Sequence, residues 1–266
     1  KWTLPSYKRQ NIPKDKLELI IVEDVADQVP VFNAFKKDVL DIFGKVQWIL
    51  MSKKRSIIPV VGNNPALGLN LAFKAASNEA ILKTDPECFQ FDTLSRSLEI
   101  FDPNKVIYYQ TRRTQKETLD YLDAERISKI SKQDFMNLPG IDNWKIVRPN
   151  GGRCYWPFCA LFPKQKVLEC GGIDERCLSG FAAEDDILAD VMENNGCEII
   201  VDDRAEAVHL WHEAPILLDG RIAHGTPEHL RNANLLSQCR SEKWKRVNLG
   251  HDWGAESCIV HKEIWE

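Results

Sequence analysis

The sequence predicts an α/β protein with a mostly parallel central sheet flanked by helices, and two observations carry that expectation. Between Leu17 and Leu82, segments of strand composition alternate with segments of helical apolar spacing. The strand segments are continuous apolar runs rather than alternating ones, as expected where both faces of a sheet are covered.

The elements follow in order. Leu17-Glu18-Leu19-Ile20-Ile21-Val22 is β-branched and apolar, and it ends in Glu23-Asp24. Val31 to Phe43 carries apolar residues at helical spacing, with Gly44 as a stop. Trp48-Ile49-Leu50-Met51 reads as a short strand. After Ile57 to Val61, the loop Gly62 to Gly68 leads into a helix from about Leu69 to Ser77. Ala80-Ile81-Leu82 is a strand, Phe91 to Phe101 a helix, and Lys105 to Gln110 another strand. From Thr111 to about Pro149 the chain is charged and weakly periodic, which reads as an insertion or mobile connection with at most one exposed helix. Cys154 to Phe162 is strand-like and aromatic. Ile187 to Asn194 has helical spacing with Gly196 as its stop, and strands follow at Glu198 to Val201 and Ala207-Val208.

Composition narrows the function classes. The 266 residues are 44% hydrophobic, enough for one large domain or two small ones. A formal charge of -4 and no Lys/Arg block argue against a nucleic-acid partner. No apolar stretch approaches the ~20 residues of a membrane span, and Lys1-Trp2-Thr3-Leu4-Pro5 does not make a signal peptide. The eight cysteines contain no C-x-x-C pair, so scattered free thiols in a reducing compartment are preferred, with disulfides left possible by the even count.

Acids gather where strands end and a helix begins. Pro86 stops regular pairing, so the strand at Ala80 delivers Asp85 and Glu87 onto a loop at its carboxyl end, where open α/β sheets bind ligands. Two carboxylates one residue apart can turn to one divalent cation, although in isolation a solvated acidic turn is the favoured reading. Glu184-Asp185-Asp186 opens a helix. Such acids complement the helix dipole, yet three in a row exceed what capping needs. His209-Leu210-Trp211-His212 gains meaning only in company with these acids.

Taken together, the ordered set resembles the family 2 type of inverting GT-A glycosyltransferases, the nucleotide-diphospho-sugar transferase fold. Ser6 to Gln10 looks like the end of that family's first helix, and Leu19 to Asp24 like its strand ending in paired acids. Asn64 to Glu79 is similar to the helix before its D-x-D loop, with Asp85-Pro86-Glu87 in the place of that loop. Gly171-Gly172-Ile173-Asp174-Glu175, Glu184-Asp185 and His209 to His212 look like its later motifs. The resemblance covers about residues 2 to 213, with a nucleotide-sugar half over about 1–110 and an acceptor half over about 150–213. Residues 214–266 form an extension expected to pack as helices on the domain or on a partner. Two departures stand out. The family's first strand is missing, and Glu87 replaces the usual second aspartate.

The resemblance implies a nucleotide-sugar donor, UDP-sugars being favoured, and a saccharide, glycolipid or glycoprotein acceptor. Asp85, Glu87 and His209 would hold Mn²⁺ or Mg²⁺, with Glu23, Asp24 and Asp85 near the donor. Asp185 would be the general base, Glu184 its understudy or an acceptor partner, and Trp156 and Trp211 sugar-stacking candidates, although large aromatics in such strands are more often core. A retaining GT-A enzyme and a non-catalytic nucleotide- or sugar-binding module are the alternatives. The cytoplasm, where nucleotide-sugars are made, is the expected location.

Overall fold

The computed structural model describes residues 3–10, 12–24, 32–56, 65–142, 159–177, 183–213, 217–218, 221–222 and 225–266. Trp156, Cys154 and the run from Ile57 to Val61 lie outside the described residues.

The chain enters on a short helix, α1 (Leu4–Lys8), with Pro at its start, where a missing amide donor is harmless. β1 (Glu18–Asp24) then pairs in parallel with β2 (Lys45–Met51), Glu18 lying opposite Lys45 and Asp24 opposite Met51. The connecting helix α2 (Lys36–Ile42) is shorter than its apolar spacing predicts, because Phe32–Ala34 form a 3-10 turn ahead of it. α3 (Pro65–Ala75) starts four residues before the expected Leu69, at a proline suited to a first helical turn. These lead to β3 (Ala80–Thr84), β4 (Cys88–Gln90), α4 (Thr93–Ile100) and a long β5 (Lys105–Thr114).

The described part of the stretch read as an insertion, as far as Asp142, is folded. A 3-10 turn at Lys116–Tyr121, α5 (Ala124–Lys129), α6 (Lys132–Met136) and a short β6 (Ile141–Asp142) follow β5. Ile127, Ile130, Phe135 and Leu138 are buried against Phe89 and Val208, so this segment builds a core of its own. Helices this short show no sustained period, which is why the sequence reads as a loose connection. After it come β7 (Cys159–Pro163), α7 (Lys164–Cys170), α8 (Glu184–Asn194) and β8 (Glu198–His209), one strand where two were expected. β9 (Leu217–Leu218) and β10 (Arg221–Ile222) form a small hairpin, and α9 (Pro227–Glu242) packs on α8, with Arg240 Nε donating to Asp190 Oδ2 at 2.8 Å.

β11 (Ile259–Trp265) corrects the expectation of a purely helical extension. It pairs antiparallel with β2 to complete a three-stranded sheet in the order β1-β2-β11. The larger, six-stranded sheet runs β3-β7-β5-β8-β4, with β6 beside β5. It is mixed rather than mostly parallel: β5 and β8 run together, whereas β7 opposes both β3 and β5, and β4 opposes β8. Apolar runs report burial on both faces but carry no information about strand direction.

α3, α7 and α8 contribute to the main core with β5 and β7, where Phe73, Tyr108, Phe162, Val167 and Ile187 are buried. Full burial of such a side chain contributes about 1.5–3 kcal/mol. The glycine turn after α7 is fixed from two sides. Asn70 of α3 donates to Ile173 O and Glu175 Oε1, each at 2.9 Å, and accepts from Ile173 N at 2.8 Å. Gly172 has φ +74°, and a Cβ there would lie 2.3 Å from Asn70 Oδ1 and 2.7 Å from Trp253, so only glycine fits. Asn248 and Gly254 of the extension close the other side, on Gly171 O and on Glu175. Asp174 and Glu175 are therefore framework acids: Asp174 holds Arg176 at 2.6 Å, and Glu175 holds Asn70 and Gly254.

The seven described cysteines are free and buried, and burial pushes the Cys159 thiol up to about 12. No helix among the described residues is long and apolar enough to cross a membrane.

Candidate functional site

Strand pairing brings distant motifs together. β3 ends at Thr84, and Cys88 N–H donates to Asp85 O at 3.0 Å, which closes Asp85-Pro86-Glu87 into a tight turn. β4 then pairs antiparallel with the end of β8, placing Cys88 opposite His209, and Leu210 N–H donates to Glu87 O at 3.1 Å. Residues a hundred and twenty apart in sequence thus become backbone neighbours through one ladder. Trp211 N–H donates to Thr114 Oγ1 at 2.7 Å, tying the segment after β8 to the end of β5.

This arrangement gathers Glu87, His209 and His212, with one ligand atom from each lying within 4.8 Å of the others. His212 Nε2 stands 3.9 Å from Glu87 Oε1, and the two imidazoles are 5.2 Å apart. Burial pushes His209 down to about 4, with His212 and Arg113 adding to the effect and Asp85 opposing it. His209 is therefore neutral at pH 7, the form that ligates a metal. Two imidazoles and a carboxylate are a donor set suited to a first-row transition ion. His212, exposed and seen in the sequence only as part of a four-residue motif, is the ligand candidate that sequence reasoning did not single out.

Asp85, which acts on His209 electrostatically, is itself ion-paired. Its Oδ1 accepts from Lys83 Nζ at 2.7 Å, in a pair whose side chains are 12% and 28% exposed. Lys83 lies in the otherwise apolar run of β3, and that break in the run was the signal available for it. Burial favours the neutral amine, yet Asp85 and Asp185 together outweigh it and hold Lys83 firmly protonated.

Asp185 and Glu184 come from the first turn of α8. The residue before them, Ala183, has φ 81°, a left-handed conformation unusual for a residue with a Cβ. Glu184 and Asp186 are buried and Asp185 is half-buried. Desolvation raises the Asp185 carboxyl well above its ordinary range; Lys83 counters this, while Glu184 and Asp85 push it further up. Glu184 is raised for the same leading reason. Glu184 Oε2 is buried with no hydrogen-bond partner. An acid pair of this kind, with raised carboxyls and an unsatisfied oxygen, can accept a proton or a ligand hydroxyl.

The remaining predicted residues have other neighbours. Glu23 Oε1 accepts from Phe32 N at 2.7 Å, and Asp24 pairs with Lys53 at 2.6 Å, both at the carboxyl end of β1 in the smaller sheet. The Trp211 ring has Lys116 Nζ 5.5 Å from its centroid, a partly exposed cation-aromatic contact. Trp156 is outside the described residues.

No protein-family model matches the chain, and no curated protein matches it. Among solved structures it is similar to the mannosyltransferase PcManGT from Pyrobaculum calidifontis in complex with GDP-Man and Mn²⁺, at 18% identity and a TM-score of 0.48, covering 82% of this chain and 53% of that one. It is also similar to the catalytic domain of Drosophila beta1,4-galactosyltransferase 7 in complex with xylobiose, at 12% identity and a TM-score of 0.35, covering 69% and 64%. A mycobacterial protein is similar over 100% of this chain and 87% of its own, at 10% identity and a TM-score of 0.42. The chain thus spans little more than half of the first of these and under two thirds of the second. With each TM-score below 0.5, the functional reading stands on the chemistry of the chain's own residues.

Proposed function

We propose that this chain is a metal-dependent glycosyltransferase of GT-A type, moving a sugar from a nucleoside-diphosphate-sugar to an acceptor hydroxyl with inversion. The observation that carries the reading is that Lys83, at the carboxyl end of β3, is ion-paired to Asp85 on the turn that brings Glu87 to His209 and His212, and also acts electrostatically on Asp185 at the start of α8. Ligands of open α/β sheets bind at strand ends of this kind.

Glu87, His209 and His212 would hold the ion, and their imidazole content favours Mn²⁺ over Mg²⁺. A bound divalent ion would supply the positive charge that stabilises the departing diphosphate. Asp185 takes the proton of the acceptor hydroxyl as that oxygen attacks the anomeric carbon from the face opposite the leaving group. Burial raises its carboxyl, and a more basic carboxylate takes a hydroxyl proton with greater driving force. Glu184 offers its unpartnered Oε2 to an acceptor hydroxyl and so orients it. Glu23, Asp24 and Asp85 would serve the donor, and Trp211 would offer an aromatic face to a sugar.

Release of nucleoside diphosphate from a panel of UDP- and GDP-sugars, with Mn²⁺ and simple saccharide acceptors, tests the reading. Turnover by the wild type, its loss in Asp185→Asn and an inverted product anomer by NMR are expected. A retained anomer would contradict the role of Asp185. Absence of turnover and of donor binding across the panel would overturn the glycosyltransferase reading.

A further inference from the structure

Asp85, Glu184, Asp185 and Asp186 act on one another electrostatically, and Lys83 is the cation that Glu184 and Asp185 share. Lys83 projects from the last turn-proximal part of β3, its register partner on β7 being Ala160, which offers no competing charge. Its ammonium is nearly buried and donates to Asp85 Oδ1 at 2.7 Å. Asp85 stands two residues from Glu87 on the same tight turn, yet it is Glu87 and not Asp85 that meets His209 and His212.

We infer that Lys83 is a positioning residue that holds Asp85 out of the metal-ligand set and serves as the fixed positive charge between the two acid groups. This rests on the metal-dependent reading above. The physical reason is competition. A carboxylate in a short, partly buried ion pair has one oxygen committed to the ammonium, and a divalent ion must break that pair to recruit it. The same ammonium repels an incoming cation while attracting anions. Lys83 therefore lowers the affinity of the empty protein for metal and leaves the ion to be held most firmly when an anionic diphosphate arrives with it. A lysine kept only for packing would have no such effect, since its removal would loosen the turn and weaken every ligand.

The test uses the full chain and Mn²⁺ alone, followed by calorimetry or by the loss of the free Mn²⁺ resonance signal. Wild type is compared with Lys83→Met, Lys83→Arg and the double variant Lys83→Met/Asp85→Asn. Lys83→Met should bind Mn²⁺ about tenfold more tightly, because a repelling charge is gone and a carboxylate is released. Lys83→Arg should stay near wild type, and the double variant should lose most of the gain. Near-ultraviolet circular dichroism checks that each variant is folded; if Lys83→Met does not fold, Asp85→Asn alone decides, since it should leave Mn²⁺ affinity within about threefold of wild type. Folded Lys83→Met with unchanged or weaker Mn²⁺ binding would overturn the inference, as would a tenfold or greater loss in Asp85→Asn. If wild type binds no Mn²⁺ but still turns over a nucleotide-sugar, the inference fails and the transferase reading survives without its metal.

Discussion

Acids close both β1 and β3, but the two strand ends treat their charges differently. At β1, Glu23 is met by the Phe32 amide and Asp24 by Lys53, so each carboxylate has a nearby compensating group. Beyond β3, Asp85 takes Lys83, Glu87 faces two imidazoles, and α8 adds an acid pair whose Glu184 Oε2 has no partner. Position at a strand end is shared by both regions. What separates them is compensation: among the described residues, Glu184 Oε2 is left without a hydrogen-bond partner and the Asp185 carboxyl is pushed up, a site that an acceptor hydroxyl and its proton can fill.

The largest effect that would sharpen this contrast is at Asp185. Asp185→Asn should lower turnover by about 10²–10⁴-fold. It should also stabilise the fold at neutral pH. The Asp185 carboxyl is raised in the folded state, so the folded chain holds its proton to higher pH than the unfolded chain does, and stability from this group is present at low pH and lost as pH rises. Chemical denaturation at pH 7 checks this, and a destabilised, fully active variant would break the comparison.

Next comes Glu87→Gln, which should weaken Mn²⁺ binding by at least about tenfold to a hundredfold, measured by calorimetry. Its counterpart in the smaller sheet, Asp24→Asn, should leave Mn²⁺ binding alone unchanged and weaken nucleotide binding by no more than about tenfold. The Lys53 pair it removes contributes roughly 0–1 kcal/mol to stability. Equal effects of the two variants on the metal would erase the distinction between the strand ends.

His209 gives a pH-dependent test of intermediate size. Burial lowers it from 6.5 to about 4, so between those values the unfolded chain binds the proton that the folded chain refuses. Its contribution to stability is full above about 6.5 and is lost as pH falls towards about 4. Glu184 and Asp185 act in the opposite direction over acid pH, so the His209 share is read as the difference between wild type and His209→Gln across a denaturation series. The smallest effect is expected at Ala183→Gly, where relief of the left-handed backbone at φ 81° should stabilise by about 0.5–1 kcal/mol, within the range of a thermal melt.

Much of this was legible in the sequence because it is local. The apolar runs of β1, β2 and β3, the proline that turns the chain after Thr84, and the acids that open α8 each declare themselves within a few residues. Lys83 left a local signal as the charge in the run of β3, two residues from Asp85, but its link to Asp185 was not legible, since only the fold brings the two together. The helices at Ala124–Lys129 and Lys132–Met136 are too short to establish a period and become ordered by packing on Phe89. β11 was hidden for a similar reason: its strand character depends on β2, more than two hundred residues earlier, and its Lys262 and Glu263 mask the apolar residues around them.

The most direct measurement is a calorimetric titration of UDP, GDP and their common sugar conjugates, with and without Mn²⁺, on wild type and on Glu87→Gln. The account predicts tight binding of one nucleotide that requires Mn²⁺ and is lost or greatly weakened in Glu87→Gln. Nucleotide binding that ignores both the metal and the substitution would contradict it.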